Sequence, residues 1–416
     1  MKTAICIFED DKYSNFLPLV YTRPVYDLRC GILTLREKII RHFPSSKIIL
    51  HTRNYLSEYL REKNHGYEVN NFSPEPTLFI NGRLIMDKKS AWLIKKMSEN
   101  SILLDNDDTI AAVYISSGVD LMSNGFLNFK DIPGLQQSKT NFKLASFSWD
   151  LVNINGNEIA NDFNLLVKKN SSIQQKKFKS VEFKNKKQIF IGKNVLLDPF
   201  VYLDATLGPI YLGKNVHIMS HSYIQGPAFI GENSVIKSHT SLYHNSSIGP
   251  VCKVGGEVEG SIIHSYSNKQ HEGFLGHSYI GSWVNIGAST NNSDLKNNYS
   301  NVSVMLNGKP VDTDTQFVGL IMGDHSKTAI NTMFNTGSIV GVSCNLFGAG
   351  FPNRYIPSFI WGGTDFLRTY DFKKSIEVAK IVMQRRNITF TEIEEKLLSD
   401  VFDMTKEERE RKTKSN

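Results

Sequence analysis

The 416-residue sequence predicts an α/β domain with a mostly parallel sheet, then a parallel β-solenoid and a helical tail. Two observations carry this. Strand-like and helix-like segments alternate through roughly the first 170 residues, and an aliphatic residue then recurs at every sixth position over much of the second half.

In the first part, "TAICIFED" reads as a buried strand, "GILTLREKIIRHF" as a helix and "SKIILHTR" as a strand. "YLSEYLREK" reads as a helix and "TLFINGRLI" as another strand. Alternation of this kind builds sheets from strands joined by crossover helices, which gives residues 1–170 as one α/β domain. A polar, lysine-rich stretch follows, and residues 171–187 read as a linker.

Residues 188–350 carry the repeat. Leu212, Ile218, Ile224, Ile230, Ile236, Leu242, Ile248 and Val254 fall six apart, after a shorter run of Ile191, Leu197 and Leu203 in another frame. A third run holds Phe274, Ile280 and Ile286, and returns as Met322, Thr328, Phe334, Val340 and Leu346. Each hexad reads as a short strand and a turn with its aliphatic residue on the axis, so that stacked coils share one core. A β-sandwich would instead alternate with a period of two. Gly255–Gln270 and Asn291–Gln316 interrupt the period, and loops that leave a regular scaffold are where sites are built. Residues 351–416 read as a C-terminal extension of two amphipathic helices that caps the open end.

Composition narrows the function. With 40% hydrophobic and 21% charged residues, and no apolar run long enough to span a bilayer, no membrane insertion is expected. Acidic residues follow the first apolar run at once, which is unlike a signal peptide, so a cytoplasmic protein is expected. Cys6, Cys30, Cys252 and Cys344 are too scattered for a disulfide framework or a zinc site, and no metal-ligating cluster is expected. The net charge of +7 sits largely in runs such as "KKNSSIQQKKFKS", which read as a solvated linker and not as a nucleic-acid surface.

The most specific motif is "HEGFLGHSYIGSWVNIGAST", His271–Thr290. With the two-part plan, its His271, Leu275-Gly276, Ile280-Gly281 and Val284–Ala288 resemble the active-site segment of bifunctional bacterial enzymes. Those enzymes acetylate glucosamine 1-phosphate and uridylylate the product to UDP-N-acetylglucosamine. The resemblance implies a Rossmann-like nucleotidyltransferase-like domain followed by a left-handed parallel β-helix. It also implies a homotrimer with acetyl-CoA in the cleft between neighbours and a sugar phosphate or nucleotide sugar as acceptor. Position by position, His271 would be the general base and Glu257 the carboxylate that orients it. Asn285 and Phe274 would touch substrate, as would the shifted pair Asn298-Tyr299, and Ala288 would touch acetyl-CoA through its backbone. Chemistry supports the base independently, since an amine attacking a thioester must shed a proton and an imidazole is suited to take it. His221, His239, His244, His264 and His277 lack such a match and read as corner or surface residues.

The sequence also departs from that family. Ser241 and Glu259 stand where basic residues grip the sugar phosphate, and Phe274 lacks a hydroxyl. In the first domain Glu9, Asp10 and Asp11 occupy the place of a Gly-rich phosphate loop, Val25 replaces a lysine, and "LFING" ends in Gly82-Arg83 instead of a metal-binding Gly-Asp. Mg²⁺ is therefore expected only if this domain is active. Arg23, Arg29 or Arg36 could bind a sugar nucleotide; equally, Arg29 and Arg36 could form the exposed face of the first helix and its lead-in.

The leading expectation is an acetyl-CoA-dependent sugar acetyltransferase with a nucleotidyltransferase-like domain, in nucleotide-sugar or cell-envelope biosynthesis. One alternative is a working bifunctional nucleotidyltransferase/acetyltransferase; another is a non-catalytic trimeric sugar-nucleotide scaffold.

Overall fold

The computed structural model describes residues 4–72, 75–116, 122–123, 126–129, 132–167 and 178–414. Residues 171–177 of the expected linker lie outside them.

The first strand, Ala4–Phe8, is buried along its whole length and pairs in parallel with Ile48–Leu50 on one side and Thr77–Asn81 on the other. A run buried on both faces is what a central parallel strand requires. The seven-stranded sheet continues outward to Glu68–Val69 at one edge. On the other side it turns antiparallel at Ile110–Ile115 and ends with Ser101–Leu104 and Gln136–Lys139, so the sheet is mixed. Helix α1, Leu35–His42, starts at a capping box in which Thr34 and Glu37 satisfy each other's backbone donors. Helices α2, Asn54–Lys63, and α3, Lys88–Lys95, follow, and the long α4, Ser148–Leu166, closes the domain.

The hexads form a parallel β-helix, the solenoid that the six-residue period predicts. One face has nine strands from Ile189–Ile191 to Tyr355–Ile356, a second has six from Glu182–Lys184 to Phe274–Gly276, and the third starts at Leu196–Leu197. Leu212, Ile218, Ile224, Ile230, Ile236, Leu242, Ile248 and Val254 are all fully buried on the axis. Corners carry left-handed backbone at Asn215, His221, Asn233, His239 and Asn245, where a short polar side chain tolerates positive φ.

Four expectations are corrected. Gly255–Gln270 does not leave the solenoid: its strands Glu257–Glu259, Ile262–Ile263 and Asn268–Lys269 continue all three faces in register. The period is hidden because this coil has shortened corners and because Lys269 takes the inward place that Val254 and Ile236 hold in the coils before it. In the next coil Leu275, not Phe274, pairs with inward Val258, and Phe274 lies beside Glu257 on the outer side. The repeat also outlasts Gly350. Tyr355–Ile356 and Ile360–Gly363 extend two faces, and Leu367–Thr369 closes the edge antiparallel. The tail then forms three helices, α5 (Phe372–Gln384), α6 (Glu392–Met404) and α7 (Lys406–Lys414).

The domains share one core. Ile262, Tyr279, Ile321 and Ile339 of the nine-stranded face pack with Leu19, Leu28, Leu151 and other residues of the first domain. The segment that does leave the solenoid folds as a hairpin, Ser303–Leu306 with Lys309–Asp312, and sends Val304 and Leu306 into that core. The tail returns to the start of the chain: α6 packs on α2, with Lys396 on Glu58, Lys63 on Glu394 and Thr391 on Glu62.

Candidate functional site

His271 follows Lys269 at a corner and is exposed. It lines two adjoining grooves, of about 320 and 400 Å³. Asn285, Ala288 and Thr328 share the first groove, and Lys237, Glu272 and Ala288 the second. The chain thus brings together His271, Asn285 and Ala288, residues from successive coils. It does so because a residue at the same turn of the next coil stacks about one strand spacing away.

The backbone here is tightly specified. Gly256 has φ +72°, and a Cβ there would meet the His271 carbonyl and the Lys269 ammonium at 2.8 Å. Gly273 has φ +120°, and a Cβ would come within 2.2 Å of the Thr290 carbonyl. Glycine is required at both. Lys269, 2% exposed, donates to the carbonyls of Gly255 at 2.8 Å and His271 at 3.0 Å. Burial pulls its pKa down to about 8, against the pull of Glu272 and Glu257. Nothing in the sequence pointed to Lys269; the shortened coil concealed that a lysine occupied an axial position.

The imidazole of His271 has no hydrogen-bond or ion-pair partner among the described residues. Glu257 is exposed on its strand, next to Phe274, and does not bond the ring within one chain. Phe274 is half-buried, its N–H donating to the Asn291 side chain at 2.8 Å. Asn298 and Tyr299 lie in the loop before the hairpin. Asn298 turns back on Ser300, Tyr299 is 66% exposed, and neither lines the His271 grooves. The Asn285 side chain meets Asn268 at 3.4 Å, and Asn268 is in turn held at 2.7 Å by Arg386, just beyond α5. Arg386 is a contact that no sequence motif announced.

His221, His239, His244, His264 and His277 sit at corners, and some have more company there than a bare turn residue. His221 and His239 stack at 5.0 Å. His277, at φ +44°, pairs with Asp294 at 2.8 Å beneath the ring of Phe317. His264 donates from Nε2 to the Asp27 carbonyl, joining the two domains.

In the first domain the place of a phosphate loop is closed by ion pairs. Glu9, fully buried, accepts from the Val25 N–H at 2.8 Å, from Thr52 at 2.7 Å and from Arg53. Asp10 takes Arg83 in a bidentate pair, Nε to Oδ1 at 2.9 Å and Nη2 to Oδ2 at 2.6 Å, and Asn81 supports the same carboxylate. Arg83, 1% exposed, thus fills with a guanidinium the region where a metal-binding carboxylate was expected. No group of three or more metal-ligating side chains occurs among the described residues.

Arg23 and Arg29 are built into the domain joint. Arg23 pairs with Asp324 and reaches Ser282 at 3.2 Å. Arg29 is 8% exposed, not part of an open helix face. Its guanidinium bonds the Ile32 carbonyl and lies 5.2 Å from the Phe229 ring. Its backbone N–H and carbonyl both meet the hydroxyl of Tyr279, at 2.8 and 3.0 Å. Arg36, on α1, pairs with Asp27 at 2.8 Å.

Comparison with known proteins gives the following. Residues 5–171 match the family described as sugar nucleotidyl transferase. The bifunctional protein GlmU of Methanocaldococcus jannaschii is 32% identical over 119 residues, 29% of this chain and 28% of that protein. The bifunctional protein GlmU of Methanococcus maripaludis is 34% identical over 110 residues, 26% of this chain and 25% of the relative. A bifunctional sugar-1-phosphate nucleotidylyltransferase/acetyltransferase of Sulfurisphaera tokodaii is 32% identical over 149 residues, 35% of this chain and 37% of that protein. The chain therefore spans about a quarter to a third of the length of these relatives. Among solved structures, LpxA, a UDP-N-acetylglucosamine acyltransferase from Bacteroides fragilis, aligns over 56% of this chain and 91% of its own, with 18% identity and a TM-score of 0.34.

Proposed function

We propose that this chain transfers an acetyl group from acetyl-CoA to a sugar acceptor, an amino-sugar phosphate or a nucleotide sugar, in nucleotide-sugar or cell-envelope synthesis. The observation that carries the reading is the convergence of His271, Asn285 and Ala288 on one groove, with the imidazole unengaged. In this reaction the acceptor amine attacks the thioester carbonyl and His271 takes the amine proton. The tetrahedral intermediate then collapses, the C–S bond breaks, and the protonated imidazole returns the proton to the CoA thiolate. In this reading the Ala288 backbone receives the acetyl end and Asn285 hydrogen-bonds the acceptor.

The free ring supports a further part of the proposal. An imidazole base works best when its second nitrogen is fixed, and the described residues of one chain supply no such group, so a homotrimer in which a neighbour completes the cleft suits the site. Glu257, exposed on the six-stranded face, is the carboxylate proposed to reach an imidazole, and Phe274 the apolar contact beside it.

For the first domain, the Arg83–Asp10 pair favours binding without metal-dependent nucleotidyl transfer. Where Mg²⁺ would need a carboxylate the chain has Arg83, a fixed cation paired with Asp10. The four cysteines, all buried as thiols, suit the reducing cytoplasm where acetyl-CoA is consumed. Release of CoA thiol with a panel of amino-sugar phosphates and UDP-amino sugars tests the proposal. No release with any acceptor would favour the scaffold, and pyrophosphate release from UTP would restore the bifunctional reading.

A further inference from the structure

The third face of the solenoid gathers cations beside the His271 grooves. Val235, Lys253, Asn268, Asn285 and Lys327 stack on it in register, one from each coil. Lys237 follows the Val235–Ile236 strand at the corner and lines the second groove with His271. From the tail, Arg386 donates to the Asn268 side chain at 2.7 Å, and Arg385 stands just before it at the end of α5. The Asn268 amide in turn meets Asn285, which lines the first groove.

Among the described residues, Lys237, Lys253, Arg385 and Arg386 have no carboxylate within 4.0 Å. Burial, and then the repulsion of Arg386, Lys237 and Arg385, holds the Lys253 pKa below that of an ordinary lysine. Glu272 is the one acidic side chain lining either groove among the described residues. Like charges held together without a counter-charge cost folding energy, and a cleft lined by one sign concentrates ions of the other. The Arg386 guanidinium is also fixed in place, because Asn268 holds it over the face.

Position along the axis selects the anion. Lys237 and Lys253 lie two coils and one coil before that of His271, whereas Ala288, proposed to receive the acetyl end, lies one coil after it. An anion on the earlier coils therefore belongs to the acceptor and not to acetyl-CoA. On those same coils the six-stranded face presents Ser241 and Glu259, neither of which can hold a phosphate by charge.

We propose that Lys237, Lys253, Arg385 and Arg386 form the subsite for the phosphate of a phosphorylated sugar acceptor, so that the C-terminal tail helps select the substrate. This rests on the reading of His271 as the acetyl-transfer base. Arginine holds phosphate oxygens by its fork and lysine as a point charge, and the group combines both. The phosphate is a monoester in an amino-sugar phosphate and a diphosphate in a nucleotide sugar.

Calorimetric titration of the full chain with glucosamine 1-phosphate, UDP-glucosamine and uncharged glucosamine tests this and tells the two sources apart. At least one phosphorylated sugar should bind about tenfold or more tighter than glucosamine. Lys253→Gln and Arg386→Gln should each weaken that binding about tenfold and leave acetyl-CoA affinity unchanged. Lys237→Gln, at a partly exposed residue without a side-chain bond among the described residues, should weaken it too and keeps the test open if Arg386→Gln loosens the tail. The proposal is overturned if neither phosphorylated sugar binds tighter than glucosamine, if folded Lys237→Gln and Lys253→Gln both leave that binding unchanged, or if the variants weaken acetyl-CoA in place of the acceptor. Phosphate-dependent binding with no CoA release sinks acetyl transfer and leaves the subsite standing; CoA release with glucosamine at the same KM as with its phosphate does the reverse.

Discussion

The ammonium of Lys269 and the backbone carbonyl of His271 are joined at 3.0 Å inside the solenoid, so a buried cation sets the position of the proposed base. Lys269→Met removes that donor and leaves two carbonyls unmatched, and should lower kcat about tenfold with little change in acceptor KM. Lys269→Arg is too large for the axial place and should fare no better. A kcat equal to the parent's in Lys269→Met would detach the lysine from positioning.

The same lysine makes stability depend on pH. Its folded pKa, about 8, lies below the ordinary 10.5, so between these values the unfolded chain binds more protons than the folded one. Stability should therefore rise as pH increases from about 8 towards 10, by up to about 3 kcal/mol, and be least favoured below pH 8. Lys327, half-buried and also pulled down to about 8 by desolvation, acts in the same direction. Urea unfolding from pH 7 to 10 should show the slope, and Lys269→Met should reduce it without abolishing it.

His271→Ala should reduce acetyl transfer by about 100-fold to 10,000-fold while leaving the melting temperature nearly unchanged, because the side chain is exposed and unbonded. Steady-state CoA release, read beside a thermal melt, separates lost chemistry from lost fold.

Arg83→Met leaves Asp10 without its bidentate partner and should cost about 3 kcal/mol in urea unfolding. Adding Asp10→Asn should recover part of the loss, since the unpaired charge is then gone. If Arg83→Met instead confers pyrophosphate release from UTP with Mg²⁺, the guanidinium is an inhibitor of a latent site and not a substitute for one.

Tyr279→Phe deletes the hydroxyl that serves both backbone groups of Arg29, and should cost about 1–3 kcal/mol. The loss should appear as faster hydrogen exchange at Arg29 and its neighbours, at the joint and not across the solenoid.

Much of this architecture can be read from residue order, because a solenoid repeats its own signal coil after coil. Leu212 to Val254 keep one frame over several coils, and neither a helix nor an alternating strand sustains a spacing of six. Reading fails where one coil breaks its own rule. Between Val254 and Ile263 the corners are shorter, and a lysine stands at an inward place. That made a continuous coil look like a loop and put Phe274 on the axis in place of Leu275. The proposed site was legible as a motif around His271, since its members are close in sequence. Lys269, Arg386 and the Arg83–Asp10 pair were not. Each depends on residues brought together from distant parts of the chain, and no local pattern encodes such meetings.

The packing of α6 on α2 has a consequence for the order in which the protein is made. Leu56 is fully buried in a cluster whose other members are Val342, Phe359, Ile376, Leu397, Leu398 and Val401. A nascent chain emerging from the ribosome would have its first domain shaped long before those partners existed, with Leu56 and the neighbouring tyrosines still wet. Completion of the first domain's surface therefore waits on helices translated long after it, and a chain stalled before them would present a greasy patch to chaperones and proteases.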